Sequence, residues 1–134
     1  MSITLSRAQR DQIVAQALRD RPYETCGLLA GRASRVERVY PAANRERSPV
    51  RYEIDPKDLI RIFREIDDAG LDLVGIYHSH THTDAYPSPT DVRLAYYPEA
   101  AYVLISLMDE RAPRVRAFSI RDGTISETPI ELVD

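Results

Sequence analysis

The sequence predicts an α/β fold in which helices pack against one mixed β-sheet. One observation supports this fold class, and a second bears on the number of domains. Segments whose apolar residues recur at helical spacing alternate along the 134-residue chain with short apolar runs that end at glycine, proline or polar residues. In addition, no internal repeat, low-complexity tract or linker divides the chain, so we expect a single domain over residues 1–134.

The first helix is predicted over residues 6–19, where apolar residues lie at helical spacing. It ends before Pro22, because the residue that precedes a proline is forced out of the α region. The apolar run over 26–32 predicts a buried strand, and residues 36–40 predict its antiparallel neighbour. The polar stretch 41–50 contains two prolines and predicts a loop.

The middle of the chain predicts two further helices and the longest strand. A short strand is predicted over 52–54. The second helix is predicted to begin at Pro56, since proline suits the first helical position, and to close at Gly70. Residues 71–80 form the longest predicted strand, and a third helix is predicted over about 88–97.

Three strands are predicted to complete the sheet, at 101–107, 114–120 and 124–132. The pair Asp122-Gly123 between the last two is typical of a tight hairpin turn. The resulting order of helix, strands, helix, strand, helix and strands favours a sheet that mixes parallel and antiparallel pairs.

The composition narrows the classes of function. The formal net charge is −3, which argues against nucleic acid as the main partner because phosphate binding requires a basic surface. The single cysteine, Cys26, excludes an intramolecular disulfide, and we interpret it as a small buried residue. The start of the chain does not resemble a signal peptide and no run approaches about 20 apolar residues, so we expect a cytoplasmic protein without a membrane partner.

All three histidines fall within residues 78–82, at every second position. Alternate side chains of a strand share a face, so His78 and His80 point the same way, about 7 Å apart along the chain, while Ser79 points to the other face. Two converging imidazoles are a natural pair of metal ligands. The pattern of two histidines one residue apart is a weak signal when it stands alone.

The segment Ser88-Pro89-Thr90-Asp91 strengthens the hypothesis of a metal site. Ser88 is predicted to cap the third helix, with Asp91 in its first turn. Asp91 can then complete a His-His-Asp set around zinc, and three protein ligands with an open fourth position are typical of catalytic zinc. Two alternatives remain open at this point: Asp91 serves only in a capping box, or His82 is the third ligand.

A water molecule at such a site needs a base that is not itself a ligand. Glu24, just before the buried strand at 26–32, is a candidate. The residues alone do not separate it from Glu53 or Asp84.

Together these residues resemble a known motif. Glu24, then His78-Ser79-His80, then a gap of seven residues and Ser88-x-x-Asp91, is similar to the JAMM (MPN+) motif of zinc isopeptidases. The stretch 24–31 also resembles the first strand of that family. The resemblance covers essentially the whole chain and is closest to the compact bacterial branch. Many members have proline after the second histidine, where this chain has Thr81.

The resemblance implies a fold and a role for each motif residue. The fold would be a three-layer α/β sandwich, a mixed sheet flanked by helices and similar to cytidine deaminases, in one metallopeptidase domain. His78, His80 and Asp91 would bind Zn²⁺. Glu24 would take a proton from the attacking water and deliver it to the leaving amine, and Ser88 would help to hold the oxyanion.

The bacterial branch also implies a substrate. The bond would be the amide between the C-terminal glycine of a ubiquitin-like sulfur carrier protein and cysteine, so that hydrolysis releases cysteine in its biosynthesis. The short loops of this chain suit a flexible tail ending in Gly-Gly, bound as an added edge strand. The leaving cysteine keeps its α-carboxylate, for which Arg45, Arg47 and Arg93 are candidate contacts.

Three alternatives accompany this hypothesis. The same chemistry would also trim an immature sulfur carrier or remove a ubiquitin-like modifier from lysine. A catalytically silent scaffold of the same fold is the second alternative, although silent relatives usually lack ligands that this chain has. A zinc deaminase is disfavoured, because it needs two ligand cysteines and a glutamate between the histidine positions.

Overall fold

The computed structural model describes residues 2–134. In chain order its elements are β1 (Ile3–Ser6), α1 (Arg7–Asp20), β2 (Cys26–Arg32), β3 (Arg35–Ala42), α2 (Pro56–Asp68), β4 (Asp72–His80), α3 (Pro89–Arg93), β5 (Ala101–Ser106), β6 (Arg114–Arg121), β7 (Thr124–Thr128) and β8 (Ile130–Val133). The strands form one eight-stranded sheet in the order β7-β6-β5-β4-β2-β3-β1-β8. β4 runs parallel to β5, and β1 runs parallel to β3 and β8, while the other pairs are antiparallel. The predicted mixed sheet is confirmed.

Helices cover both faces of this sheet. On one face α1 packs over a core that includes Leu5, Ile13, Ala17, Leu29, Tyr77 and Val103. On the other face α2 packs over Leu28, Ala30, Ile62, Ile66 and Leu71. Successive residues of β2 therefore face different helices, and the chain forms the three layers that the family resemblance implies.

The helix boundaries follow from local chemistry. Ser6 caps α1 in a reciprocal capping box with Gln9. Asp55 caps α2, with Pro56 at the first helical position. Gly70 follows α2 with φ +67°, a conformation that glycine adopts without strain. No helix within residues 2–134 is long and apolar enough to cross a membrane.

A buried hydrogen-bond chain attaches α1 to the two central strands. The hydroxyl of Tyr77 donates to Oε1 of Gln16 at 2.6 Å, and Nε2 of Gln16 donates to the Cys26 carbonyl at 3.0 Å. Gly27 permits this arrangement, because a Cβ at position 27 would overlap the Tyr77 ring. This contact fixes the start of β2, the strand that follows Glu24.

The structure corrects several predicted elements. The third helix ends at Arg93 rather than near residue 97, because the Tyr97 N–H donates to the Tyr102 hydroxyl instead of continuing the helix. Residues 52–54 do not form a strand, and only Ile54 makes a bridge, to Asn44.

Two further corrections concern strands at opposite edges of the sheet. The predicted strand 124–132 is two strands separated at Pro129, which has no N–H to donate to a ladder. The first part pairs with β6, and the second pairs with β1 at the far edge. β1 itself was not predicted.

The strand that carries the histidines lies inside the sheet. Within β4, His78 lies opposite Cys26 of β2, and His80 lies opposite Ser106 of β5. β4 pairs with a strand along each of its edges, so β4 itself offers no free edge to an added substrate strand.

Candidate active site

His78 and His80 lie at the end of β4 on one face of the sheet, with 1% and 5% of their surfaces exposed. Their ring centroids are 5.1 Å apart. Ser79 points to the other face, where its hydroxyl accepts from the Thr25 N–H at 2.8 Å. The alternation predicted from the sequence is thus confirmed, and it brings two imidazoles to one buried position.

Asp91 approaches these histidines from the first turn of α3. One of its oxygens, Oδ2, lies 3.2 Å from Nε2 of His78 and 3.0 Å from Nε2 of His80. The same oxygen accepts from the Ser88 N–H at 2.9 Å, and the Asp91 N–H donates to Oγ of Ser88 at 3.1 Å. Asp91 therefore completes the capping box and also joins the histidines, so the two interpretations of this residue are compatible.

His78, His80 and Asp91, called here the His-His-Asp cluster, have a geometry that fits a metal ion. Their ligand atoms all lie within 4.8 Å of one another. Ligand atoms bound tetrahedrally to one zinc lie roughly 3.3 Å apart, close to the observed separations. Nε2 of His78 is buried without a hydrogen-bond partner among the described residues. A metal ion at the cluster would coordinate this nitrogen. His82 is exposed and lies outside the cluster, so the structure does not support the three-histidine alternative.

A backbone carbonyl fixes the orientation of His80. Nδ1 of His80 lies 2.8 Å from the Asp84 carbonyl oxygen, which can only accept a hydrogen bond. Nδ1 therefore carries a proton, so Nε2, which lies 3.0 Å from Oδ2 of Asp91, is the ring nitrogen left for a metal ion, the arrangement usual for metal-binding histidine. The Asp84 carboxylate itself pairs with Arg114 and Arg116.

His78 is held differently. The Tyr52 ring stacks on its imidazole, with centroids 4.3 Å apart and an interplanar angle of 21°. Nδ1 of His78 is buried and has no hydrogen-bond partner among residues 2–134. Sequence reasoning missed Tyr52, since no spacing relates it to the histidines.

Glu24 is a buried carboxyl group beside this cluster. It is 4% exposed, and its Oε1 is buried without a hydrogen-bond partner in the part of the chain described. Burial raises the pKa of Glu24 to about 8; nearby His80 opposes this and Asp91 adds to it. By contrast, Glu53 is exposed and pairs with Arg45. Of the three candidate bases, only Glu24 is buried and has no ion-pair partner among residues 2–134.

The backbone around Glu24 is fixed by its neighbours. The Glu24 N–H donates to the Ser48 carbonyl at 2.8 Å, and the Asn44 side-chain amide donates to the Glu24 carbonyl at 3.1 Å. Asn44 also accepts from the N–H groups of Glu46 and Glu53. Asn44 thus ties the loop after β3 to the residue that precedes β2.

The pKa values of the three residues in the His-His-Asp cluster are shifted in different directions. Burial lowers the pKa of His78, against the opposing effect of Asp91. Burial also acts to lower the pKa of His80, but hydrogen bonds to Asp91 and the Asp84 carbonyl raise it overall. Burial acts to raise the pKa of Asp91, but the two histidines and the Ser88 N–H hold it well below its usual range. Asp91 is therefore ionised, as a metal ligand must be.

A model of prokaryotic homologs of the JAB domain matches residues 6–121. The chain belongs to the prokaryotic JAB family. The JAMM resemblance of the motif is therefore confirmed.

Three curated relatives align with most of this JAB-family chain. The CysO-cysteine peptidase of Mycobacterium tuberculosis is 46% identical over 124 residues, which cover 91% of this chain and 85% of the relative. A desampylase of Haloferax volcanii is 39% identical, with 78% and 80% covered. A probable TtuB-protein conjugate cleaving protease of Thermus thermophilus is 37% identical, with 87% and 75% covered.

Solved structures share the fold of this chain. The solution structure of a protein from Desulfitobacterium hafniense superposes with a TM-score of 0.89 at 36% identity, covering 98% of this chain and 93% of the other. The crystal structure of a JAB1/MPN domain protein from Archaeoglobus fulgidus gives a TM-score of 0.66 at 18% identity, with 98% of each chain covered. This second likeness confirms the predicted fold alone.

The three arginines suggested for substrate binding occupy different surroundings in this JAB-family domain. Arg45 pairs with Glu53 at 3.6 Å, and Arg93 donates to the Thr90 hydroxyl at 3.3 Å. Arg47 lies over the Tyr23 ring and lines a cavity that Glu24 also lines. The structure therefore brings only Arg47 of the three to a cavity beside Glu24.

Cys26 lies on the histidine face but outside the His-His-Asp cluster. It is fully buried, and its thiol lies 3.7 Å from the Ala42 carbonyl oxygen. Burial raises the pKa of the thiol to about 12, so the thiolate form that binds metals is disfavoured. Its interpretation as a small buried residue is confirmed.

Proposed function

We propose that this JAB-family protein is a zinc metallopeptidase that hydrolyses the amide between the C-terminal glycine of a ubiquitin-like sulfur carrier and cysteine. The observation that carries the proposal is the buried carboxyl group of Glu24 beside the His-His-Asp cluster. The identity of 46% to a CysO-cysteine peptidase supports this substrate class. We further propose that residues 1–134 form one metallopeptidase domain.

Two histidines and one carboxylate are a common ligand set for catalytic zinc, which keeps one position open. His78, His80 and Asp91 would hold the ion. When bound, zinc lowers the pKa of a water molecule and polarises a carbonyl oxygen. A scaffold without catalytic activity would not need to retain this set together with Glu24.

Glu24 would act as the general base. Its carboxylate takes a proton from the attacking water and then delivers that proton to the nitrogen of the leaving residue. A buried carboxyl group suits both steps, because a pKa near the working pH allows it to accept and to donate. The backbone contacts of Glu24 to Ser48 and Asn44 hold the residue at the cluster.

Ser88 would stabilise the oxyanion. Its hydroxyl oxygen accepts from the Asp91 N–H, which leaves the hydroxyl proton free to donate. A donor aimed at the substrate carbonyl oxygen stabilises the charge that develops there. Ser88 is adjacent to the cluster because its own N–H contacts Oδ2 of Asp91.

A second substrate is compatible with the same chemistry. The protease of Thermus thermophilus is named for cleavage of TtuB-protein conjugates, which supports removal of a ubiquitin-like modifier from lysine as an alternative. Trimming of residues beyond Gly-Gly on an immature carrier is the related possibility.

One experiment compares these substrates directly. A sulfur carrier ending in Gly-Gly-Cys, one extended by several residues and one joined to a lysine side chain are incubated with zinc-loaded protein, and intact mass is measured. We expect loss of one cysteine from the first substrate, and no loss with Glu24→Gln or with a chelator. Glu46→Gln, in an exposed loop, is the matched control and should retain activity. Selective cleavage of either other substrate would contradict the proposed substrate and favour the corresponding alternative.

A further inference from the structure

A cavity of about 440 Å³ opens beside Glu24. Its lining includes Glu24 but no member of the His-His-Asp cluster. The remaining walls come from the end of α1 and the residues after it, from the end of β3 and the loop that follows it, and from Asp58 of α2. Ligand pockets typically have volumes of about 300–1,000 Å³, so this cavity is large enough for a single amino-acid residue.

Two arginines in this lining have no ion-pair partner among residues 2–134. They are Arg19, near the end of α1, and Arg47, in the loop. The Arg47 guanidinium lies 5.6 Å from the centroid of the Tyr23 ring. Such a cation–π contact positions a guanidinium and leaves its N–H groups available.

The acidic side chains of the lining other than Glu24 are already bonded. Asp20 accepts from the Thr25 hydroxyl at 2.6 Å. Asp58 accepts from the Ala43 N–H at 2.9 Å and pairs with Arg61. The two guanidinium groups are therefore the positively charged groups of these walls that an anionic ligand can contact, and Asp20, which has no ion-pair partner among residues 2–134, keeps its negative charge in the same lining.

The proposed reaction determines which part of the substrate lies here. Glu24 returns a proton to the leaving nitrogen, so that nitrogen must come within hydrogen-bond reach of Glu24. The rest of the leaving residue then extends into the space beside Glu24. A residue at the end of a chain carries an α-carboxylate two bonds from this nitrogen, whereas an internal residue carries an amide there.

We propose that Arg47 and Arg19 bind the α-carboxylate of the leaving residue, so that the protein removes a single C-terminal residue. Arginine forms strong charge-assisted hydrogen bonds to carboxylates. This inference rests on the proposed peptidase function and deepens it. It also excludes Arg45 and Arg93 as carboxylate contacts, because neither lines the cavity.

The test compares two substrates that differ only at the terminal carboxylate. One carrier ends in Gly-Gly-Cys with a free carboxylate, and the other ends in the corresponding cysteine amide. For the wild-type protein we expect kcat/KM to be roughly 10- to 100-fold lower for the amide. Arg47→Gln should lower kcat/KM for the free acid by a similar factor and leave the amide substrate nearly unchanged, and Arg19→Gln should do the same.

The matched control is Arg38→Gln, which removes one positive charge from an exposed position on β3. It should leave the rates for both substrates as in the wild-type protein. Equal cleavage of acid and amide by the wild-type protein would overturn the carboxylate inference while leaving the peptidase function intact. An equal loss on both substrates in Arg47→Gln would overturn it as well. Failure of the wild-type protein to cleave either substrate would overturn both proposals.

Discussion

The ring of Tyr52 lies nearly parallel to the imidazole of His78, with centroids 4.3 Å apart. His80 has a carbonyl partner for its Nδ1, but His78 has none among the described residues. The orientation of His78 therefore depends on packing: Tyr52 covers one face, and His80 meets it at an angle of 62°. In the proposed zinc site, an aromatic ring thus takes the place of the usual hydrogen bond behind a metal-binding histidine.

We expect Tyr52→Ala to lower zinc affinity by about 10- to 100-fold, the range observed when groups behind metal ligands are removed. Tyr52→Phe keeps the ring and should restore affinity. Competition with a chromophoric chelator measures both values, and circular dichroism of the metal-free variants checks the fold. The prediction is wrong if Tyr52→Phe binds zinc as weakly as Tyr52→Ala.

The role of each histidine can be tested by parallel substitution. His80→Ala should abolish stoichiometric zinc binding, because it removes a ligand and leaves Asp91 buried with one fewer partner. His82→Ala should bind one zinc per chain as the wild-type protein does, since His82 is exposed and outside the cluster. Metal content after dialysis distinguishes the two. Loss of zinc from His82→Ala would restore the three-histidine alternative.

Ser88→Ala removes a helix cap and a proposed oxyanion donor together. We expect kcat to fall by about 10²- to 10³-fold with little change in KM, as for loss of one oxyanion donor. The lost cap should cost about 1 kcal/mol of stability. Ser88→Thr keeps the hydroxyl and should recover most of kcat. A loss of stability without a loss of kcat in Ser88→Ala would show that Ser88 serves only as the cap.

The stability of the metal-free protein should depend on Glu24 and pH. Burial raises the pKa of Glu24 from 4.5 to about 8, so the folded protein keeps a proton that the unfolded chain loses. The stabilisation is fully present below pH 4.5 and is lost as the pH rises to about 8. Denaturant titrations in chelator should show a smaller fall for Glu24→Gln over this window, by at most a few kcal/mol. Parallel curves for the two proteins would contradict this pKa.

Local patterns predicted most of the fold. The helices and central strands follow from apolar spacing, and their ends follow from residues such as Pro22, Asp55 and Gly70. The missed strand β1 has only four residues and runs directly into α1. This strand is too short for the alternation of Ile3 and Leu5 to be distinctive. Pro129 divides a strand that the apolar pattern joins.

The site was predictable to the extent that it depends on neighbours along the chain. His78 and His80 share a face because strands alternate, and Asp91 lies beside Ser88 because helices begin with a cap. The choice among Glu24, Glu53 and Asp84 depends instead on contacts between distant segments. The Thr25 N–H reaches Ser79 across 54 positions, and no local spacing reports that contact. Tyr52 was missed for the same reason.

The capping box of α3 has a thermodynamic consequence for metal exchange. The Ser88 N–H holds Oδ2 of Asp91 against both histidines through a bond that the protein forms by itself. The rotamer entropy of this carboxylate is therefore lost during folding and not when the ion arrives. We therefore expect the proposed zinc site to release and recover its ion without unfolding of the protein, unlike small zinc domains whose folding depends on the metal.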